Sequence, residues 1–405
     1  MKKKYGLICI LLFLAHLTAC KGQITALNSI MVIELQELDQ KKAALLRNES
    51  TAVESYKALI ATSDSILEYD AFSVVNKLGM PPSGDKHDYM TIGPYWWPNP
   101  ETSDGLPYIR RDGEINPETR NNFTDYVELE SFVNALKVLT EAFYITKNAA
   151  YATKAKVLIS AWFLDDATKM NPNINFGQSI PGNSDGRKFG IIEFGRIITV
   201  LKCLELLKHR KQLDAEIEQG MAAWLSEYTY WLENSQKGKD AANAKNNHGT
   251  HYDAQLLSIL IYLGRIEKVR KHLATVTVPR IFSQIEPDGS QPRELARTKS
   301  FSYSVMNLHG LLYLARMGQK VGVDLWRVES KDGRSIKKAF EYIVPYLTNE
   351  KSWKHSQITN CEKDIKKFIS DMVYVKKIFN ESSFDEALIQ LQNKNTQLVF
   401  EKNSL

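Results

Sequence analysis

Two polar clusters hold residue types able to move a proton beside a negative charge. The first is Lys245-Asn246-Asn247-His248-Gly249-Thr250-His251-Tyr252-Asp253. The second, Gln291-Pro292-Arg293-Glu294-Leu295-Ala296-Arg297, runs on to Phe301-Ser302-Tyr303. An amide donates hydrogen bonds, an imidazole donates or accepts them, and a guanidinium is a planar fork matched to a carboxylate. A phenol can give or take a proton once its surroundings favour the ionised form.

These groups are what is needed to acidify a C–H bond next to a carboxylate and then break it. The hydrogen on C5 of a uronic acid is such a bond. Its removal builds a second negative charge on the carboxylate, so donors and cations must sit where that charge develops. Asn247, His248 and Arg297 are the candidates for neutralisation, and Tyr303 is the candidate base and acid. A free phenol titrates near about 10, so Tyr303 needs cations close by. Arg297 is one, and His248, which can donate or carry a charge, is the other candidate. On one continuous helix Arg297 and Tyr303 would lie about 600° apart, on different faces. They meet only if Lys299-Ser300-Phe301-Ser302 interrupts the helix, with Ser300 or Ser302 capping the next one.

Each residue also has a plainer structural reading. Asn246 or Asn247 suits a helix N-cap, Arg293 and Glu294 suit an ion pair, and Tyr303 suits a core with its hydroxyl satisfied. His87-Asp88 reads as a loop brace. His248 and His251 stand at i and i+3 and suit a metal, but no third ligand accompanies them and none is expected. The conjunction of amide, imidazole, guanidinium and phenol is what favours chemistry.

The elements that must position these groups are helical. Apolar spacing of three and four predicts helices over 30–67, 126–147, 150–164, 189–209, 213–235, 248–263, 266–276, 304–318, 335–348, 362–379 and 383–392. No alternating strand pattern, Rossmann or P-loop glycine signature is present. Between 79 and 117, ten Pro and Gly residues exclude a long helix. A second irregular stretch covers 171–188. Many helices with function in the loops at one rim predict an all-α fold, an α/α toroid (an incomplete α/α barrel) with long active-site loops. Tyr95, Trp96 and Trp97 on the long loop are expected to stack on sugar rings. Tyr89, Gln178, Arg187, His251 and Arg293 are further candidate substrate contacts.

Composition narrows the partners. Of the formal charge of +5, Lys2, Lys3 and Lys4 supply three, leaving +2 for the rest of the chain. That is no field for a nucleic-acid binder, so nucleic acid is not expected as a partner. Lys2–Lys4, the apolar run from Leu7 to Leu14 and Leu17-Thr18-Ala19-Cys20 read as a secretory leader over residues 1–20. Cys20 after Leu-Thr-Ala resembles the bacterial lipoprotein signal. It implies lipidation of Cys20, a membrane link through that anchor alone, and export to the outer membrane or periplasm of a Gram-negative bacterium. Cys203 and Cys361 form no disulfide framework and no zinc spacing.

Asn246-Asn247-His248-Gly249-Thr250, with Arg293-Glu294-Leu295-Ala296-Arg297 and Tyr303 downstream, resembles the alginate-lyase superfamily of α/α-toroid polysaccharide lyases, families 38 and 5 most of all. Gly93-Pro94-Tyr95-Trp96-Trp97-Pro98-Asn99-Pro100, Gln178-Ser179-Ile180-Pro181-Gly182 and Gly186-Arg187 look like it too. The resemblance spans 80–310. It implies one lyase domain over 21–405 acting on alginate, or on glucuronan or a related β-1,4-polyuronate, by β-elimination without an organic cofactor. Asn247 and Arg297 would neutralise the carboxylate. His248 would do so too and serve as base for one C5 epimer, with Tyr303 as base and acid for the other. His251 stands where relatives often carry an aromatic residue. A toroidal glycoside hydrolase would instead need two carboxylates flanking the bond, and Asp253, Glu286, Asp288 and Glu294 form no obvious pair. A non-catalytic glycan-binding lipoprotein would keep the aromatic loop and have no use for the polar four.

Overall fold

The computed structural model describes residues 32–379 and 382–393. The leader and Cys20 lie outside them. The helices are α1 (Val32–Leu46), α2 (Ser50–Leu67), α3 (Tyr126–Thr146), α4 (Ala149–Phe163), α5 (Ile197–His209), α6 (Ala215–Asn234), α7 (Gln236–Ala242) and α8 (Asn247–Tyr262). They continue with α9 (Ile266–His272), α10 (Val278–Gln284), α11 (Pro292–Leu295), α12 (Ser300–Val321), α13 (Ile336–Leu347), α14 (Glu362–Phe379) and α15 (Ser382–Asn393).

Alternate helices build the ring. α3, α5, α8 and α12 pack side by side as the inner wall, with α4 and α6 behind α3 and α8 and with α13 and α14 against α12. This is an α/α toroid. In α3 the residues Leu129, Phe132, Leu136, Leu139 and Phe143 repeat at three and four and are buried, as an amphipathic helix on a core requires. α8 is apolar on all sides through Leu256, Leu257, Ile259, Leu260 and Ile261, which suits an inner helix clad by neighbours. Trp162 stacks on Phe132 at 4.8 Å, and Trp224 stacks on Tyr228 at 5.4 Å.

Some expectations need correction. The helix expected over 30–67 is two, because Asn48 adopts a left-handed φ of 56° between α1 and α2. The helix expected over 189–209 opens as a 3₁₀ run, Lys188–Arg196, before α5 begins. The short helices α7, α10 and α11 are too brief for periodicity to reveal.

Short strands organise the irregular stretches. β1 (Met90–Ile92) pairs in parallel with β4 (Phe176–Ser179), tying the two loops predicted as irregular to each other. β2 (Trp96–Trp97) and β3 (Ile109–Arg110) form a small antiparallel pair with Trp96 opposite Arg110. The backbone of Gly177 lies so close to Gly190 that a Cβ on Gly190 would come within 2.5 Å of it. That approach brings Gln178 and Phe189 to one wall. The inner helices present their N-termini on this side: Arg196, just before α5, donates to the hydroxyl of Tyr126 at the start of α3 at 3.0 Å.

Candidate active site

The N-termini of α8 and α12 meet the two loops in a cleft of about 1110 Å³ that opens to solvent. Asn247, His248, Arg297 and Tyr303 all line it, beside Tyr95, Trp96, Arg110, Gln178, Arg187, Phe189 and Met306. Arg297 lies between α11 and α12, and Tyr303 sits in the first turn of α12. The interruption that helix geometry demands is present. It exists because Lys299, at the N-cap, leaves helical backbone and pairs instead with Gln357.

Tyr303 is surrounded by its own network. Arg297 Nη2 donates to the phenol oxygen at 3.0 Å, and the guanidinium lies 4.0 Å over the Tyr303 ring. The Tyr95 hydroxyl shares a hydrogen bond with it at 2.7 Å. Burial, with Tyr95 adding to it, pushes the Tyr303 phenol well above its ordinary value, while Arg297 pulls it down. The free protein therefore holds a neutral phenol. Two donors stand ready for the phenolate, Arg297 and the Tyr95 hydroxyl.

Arg297 is already partnered. Its Nε and Nη2 hold the Asp112 carboxylate at 3.1 and 2.7 Å. Hydrogen bonds and charge from Arg297 outweigh burial at Asp112 and hold that carboxyl down, at about 2. Asp112 also accepts from Thr298 Oγ1 at 3.1 Å, so the long loop is fastened to the segment that carries Arg297.

Asn247 is fixed from below. Its backbone N–H and Nδ2 donate to the two carboxylate oxygens of Glu294 at 2.7 and 2.6 Å. Asn246 occupies the N-cap of α8 without a side-chain cap bond, and Glu294 does the capping instead. Glu294 is thus no partner for Arg293; burial raises its carboxyl, and the bonds from Asn247 oppose the rise. Asn247 Oδ1 is buried and unpartnered.

Of the two roles open to His248, donating or carrying charge, its surroundings favour the neutral donor. Burial, then His251, Arg297, Arg187 and Lys188, lower its imidazole to about 3. A neutral ring donates from one nitrogen and accepts at the other. Its edge packs on Phe189 at 4.7 Å, and Arg187 lies 5.1 Å over the same Phe189 ring. Arg187 pairs with no carboxylate among the described residues. Gln178 holds it through its backbone carbonyl at 2.8 Å and its Oε1 at 3.3 Å, while burial lowers the guanidinium to about 10. An unpaired, half-buried cation faces the cleft.

The alginate lyase family model matches residues 73–353. The chain belongs to the alginate lyase family. It is 33% identical to an alginate lyase from Bacteroides ovatus, over 90% of this chain and 95% of that one, with a TM-score of 0.82. It is also similar to alginate lyase A1-III from Sphingomonas species A1, at 18% identity over 72% of this chain and 77% of that one, with a TM-score of 0.47. A comparison with curated proteins finds no match. The protein is a polysaccharide lyase, which removes the glycoside hydrolase and the non-catalytic receptor as readings.

Several residues expected on substrate lie outside the lyase's cleft. Tyr89 is fully buried, its hydroxyl donating to Glu193 at 3.3 Å and its ring against Phe194, so it belongs to the floor. Trp97 does not line the cleft, because successive residues of a strand point to opposite faces. Trp96 takes the cleft side, while Trp97 donates to the carbonyl of Glu114 at 3.1 Å under Arg111. His251 is packed against Gly310 one turn below His248. Arg293 is exposed on α11, whereas its neighbour Glu294 is buried. His87 and Asp88 brace the loop: His87 Nδ1 meets the Lys169 carbonyl at 2.6 Å, and Asp88 accepts from Asn171 and Asn173. Among the described residues no group of three His, Cys, Asp or Glu gathers as a metal site.

Sequence reasoning missed Asp112, Phe189, Arg110 and Met306. Only Met306 carried a signal, one helical turn beyond Tyr303. Arg110 in β3 and Asp112 just after it lie in a stretch whose sequence shows no periodicity, so spacing says nothing of what faces what.

Proposed function

We propose that this lyase cleaves a β-1,4-linked polyuronate, alginate first and glucuronan next, by β-elimination in the cleft between α8 and α12. The observation that carries the reading is the convergence of Asn247, His248, Arg297 and Tyr303 on one solvent-open cleft beside an unpaired Arg187. An acidic polysaccharide fits because the cleft offers Arg187 and Arg110 with Trp96 for a sugar face.

The chemistry follows from the geometry. Asn247 and neutral His248 donate to the C5 carboxylate of the bound uronate, and Arg187 adds positive charge nearby, so charge developing on that group is stabilised. Tyr303 first releases its own proton to solvent, relayed by the Tyr95 hydroxyl at 2.7 Å, and as phenolate takes the C5 proton. Arg297 and Tyr95 stabilise the phenolate while it lasts. The C5 electron pair forms the C4–C5 double bond, the C4–O4 bond breaks, and Tyr303 returns a proton to O4. One phenol serves both steps when C5–H and O4 share a face of the ring. For the opposite epimer the accepting nitrogen of His248 is the base across the ring. A neutral imidazole suits that task, because a protonated one could not accept.

Incubation of the protein with polyuronates tests this. The expected result is a rise in the ultraviolet absorbance of a conjugated unsaturated uronate in step with new reducing ends. Reducing ends without that absorbance would contradict elimination. The charged start, apolar run and Cys20 of the leader support a further proposal, that the enzyme is exported as a lipoprotein to the outer membrane or periplasm.

A further inference from the structure

A band of buried amides crosses the interface behind the cleft. Asn307 is 0% exposed, Gln291 2% and Gln284 4%. Asn307 Nδ2 donates to Gln284 Oε1 at 3.0 Å and to Gln291 Oε1 at 2.7 Å. Thr250 Oγ1 adds a bond to Gln284 Oε1 at 2.9 Å. The two ends of the band leave the side chains and grip backbone. Gln284 Nε2 donates to the carbonyl of Asn246 at 3.0 Å, and Gln291 Nε2 donates to the carbonyl of Ser304 at 3.1 Å. Those carbonyls belong to the residue just before Asn247 and the residue just after Tyr303.

Three buried amides at one helix interface are a poor way to gain stability. Apolar residues of similar size would fill the space without any need for satisfied donors and acceptors. The band is not even complete, since Asn307 Oδ1 is buried without a partner. What such a network provides is direction, because hydrogen bonds fix relative placement where apolar contacts allow sliding. Here the groups placed are the two halves of the site, the start of α8 and the start of α12. Alignment of this kind is steep, with a misplacement of about 1 Å worth about 100-fold in rate.

We propose that Gln284, Asn307 and Gln291 form a positioning band that sets the distance and orientation between the Asn247-His248 pair and Tyr303. None of the three touches substrate. The proposal rests on the lyase mechanism above. Its consequence is that kcat, not substrate affinity, depends on these amides.

The test uses Asn307→Ala and Gln284→Glu, assayed well below the melting temperature of each. Asn307→Ala is expected to lower kcat by about 10- to 100-fold, with KM within a few-fold of the parent. In Gln284→Glu the protonated carboxyl can still donate to the Asn246 carbonyl, whereas the ionised form cannot. Its kcat is therefore expected to stay near the parent at low pH and to fall as pH rises, a titration the parent lacks. Should Asn307→Ala fail to fold, that pH profile decides alone. If both variants lose melting temperature but keep the parent's kcat and pH profile, the band is merely structural and the proposal is overturned. A crystal structure of Asn307→Ala decides independently of activity. A change of more than about 0.5 Å between the phenol and the imidazole supports the band, and an unchanged distance overturns it. If the parent itself shows no elimination, the mechanism fails, and this distance still judges the band.

Discussion

The residue whose role the surroundings decide is His248. Its type allowed a donor or a cation beside Tyr303; burial keeps the ring neutral, and the positive charge comes from Arg297 and Arg187. Sequence shows which side chains are present, but desolvation is a property of the folded surroundings and does not show in spacing. The same burial has a consequence for stability. The His251 imidazole is lowered from 6.5 to about 4, first by burial and then by His309 and Lys367. A base with a depressed value favours the deprotonated folded state, and the unfolded chain binds more protons in between. This contribution is therefore complete above about 6.5 and is lost as pH falls toward about 4. His251→Gln is expected to flatten the decline of the urea midpoint between neutral and mildly acidic pH. An unchanged slope would show that His251 is not held neutral by the fold.

At the scale of elements, the helices were legible and the loops were not. The apolar repeats of α3, α8 and α12 announced helices, and the need to bring Arg297 to Tyr303 announced a break between them. Nothing in the sequence from 79 to 117 revealed that Asp112 fastens this loop to Arg297 and Thr298, or that strand alternation turns Trp96 in and Trp97 away. Likewise Glu294, whose type and place suited an ion pair with Arg293, is buried and caps α8, while Arg293 is exposed. The loop anchor makes a prediction of its own. Asp112→Ala removes the carboxylate that holds Arg297, so the loop is expected to be cut faster in limited proteolysis. Its kcat should drop by about 10-fold, as expected when a supporting contact of the general base is loosened. Equal cleavage and equal turnover would show that the ion pair is incidental.

For the whole molecule, the toroid explains how residues distant in sequence come to line one cleft. Parallel inner helices present their N-termini at one rim, and the two irregular stretches, joined by β1 and β4, close over it. The fold was readable because many helices with two long loops have few compact arrangements. The membership in the alginate lyase family agrees with it. The central claim is that the Tyr303 phenol carries the proton in an elimination driven by a neutralised carboxylate. The direct measurement is the ultraviolet time course of Tyr303→Phe beside the parent enzyme, on a polyuronate whose C5–H and O4 share a face. The account expects binding within a few-fold of the parent and turnover reduced by at least about 100-fold, the lower bound for loss of a general acid-base group. Near-normal turnover by the phenylalanine variant would contradict it.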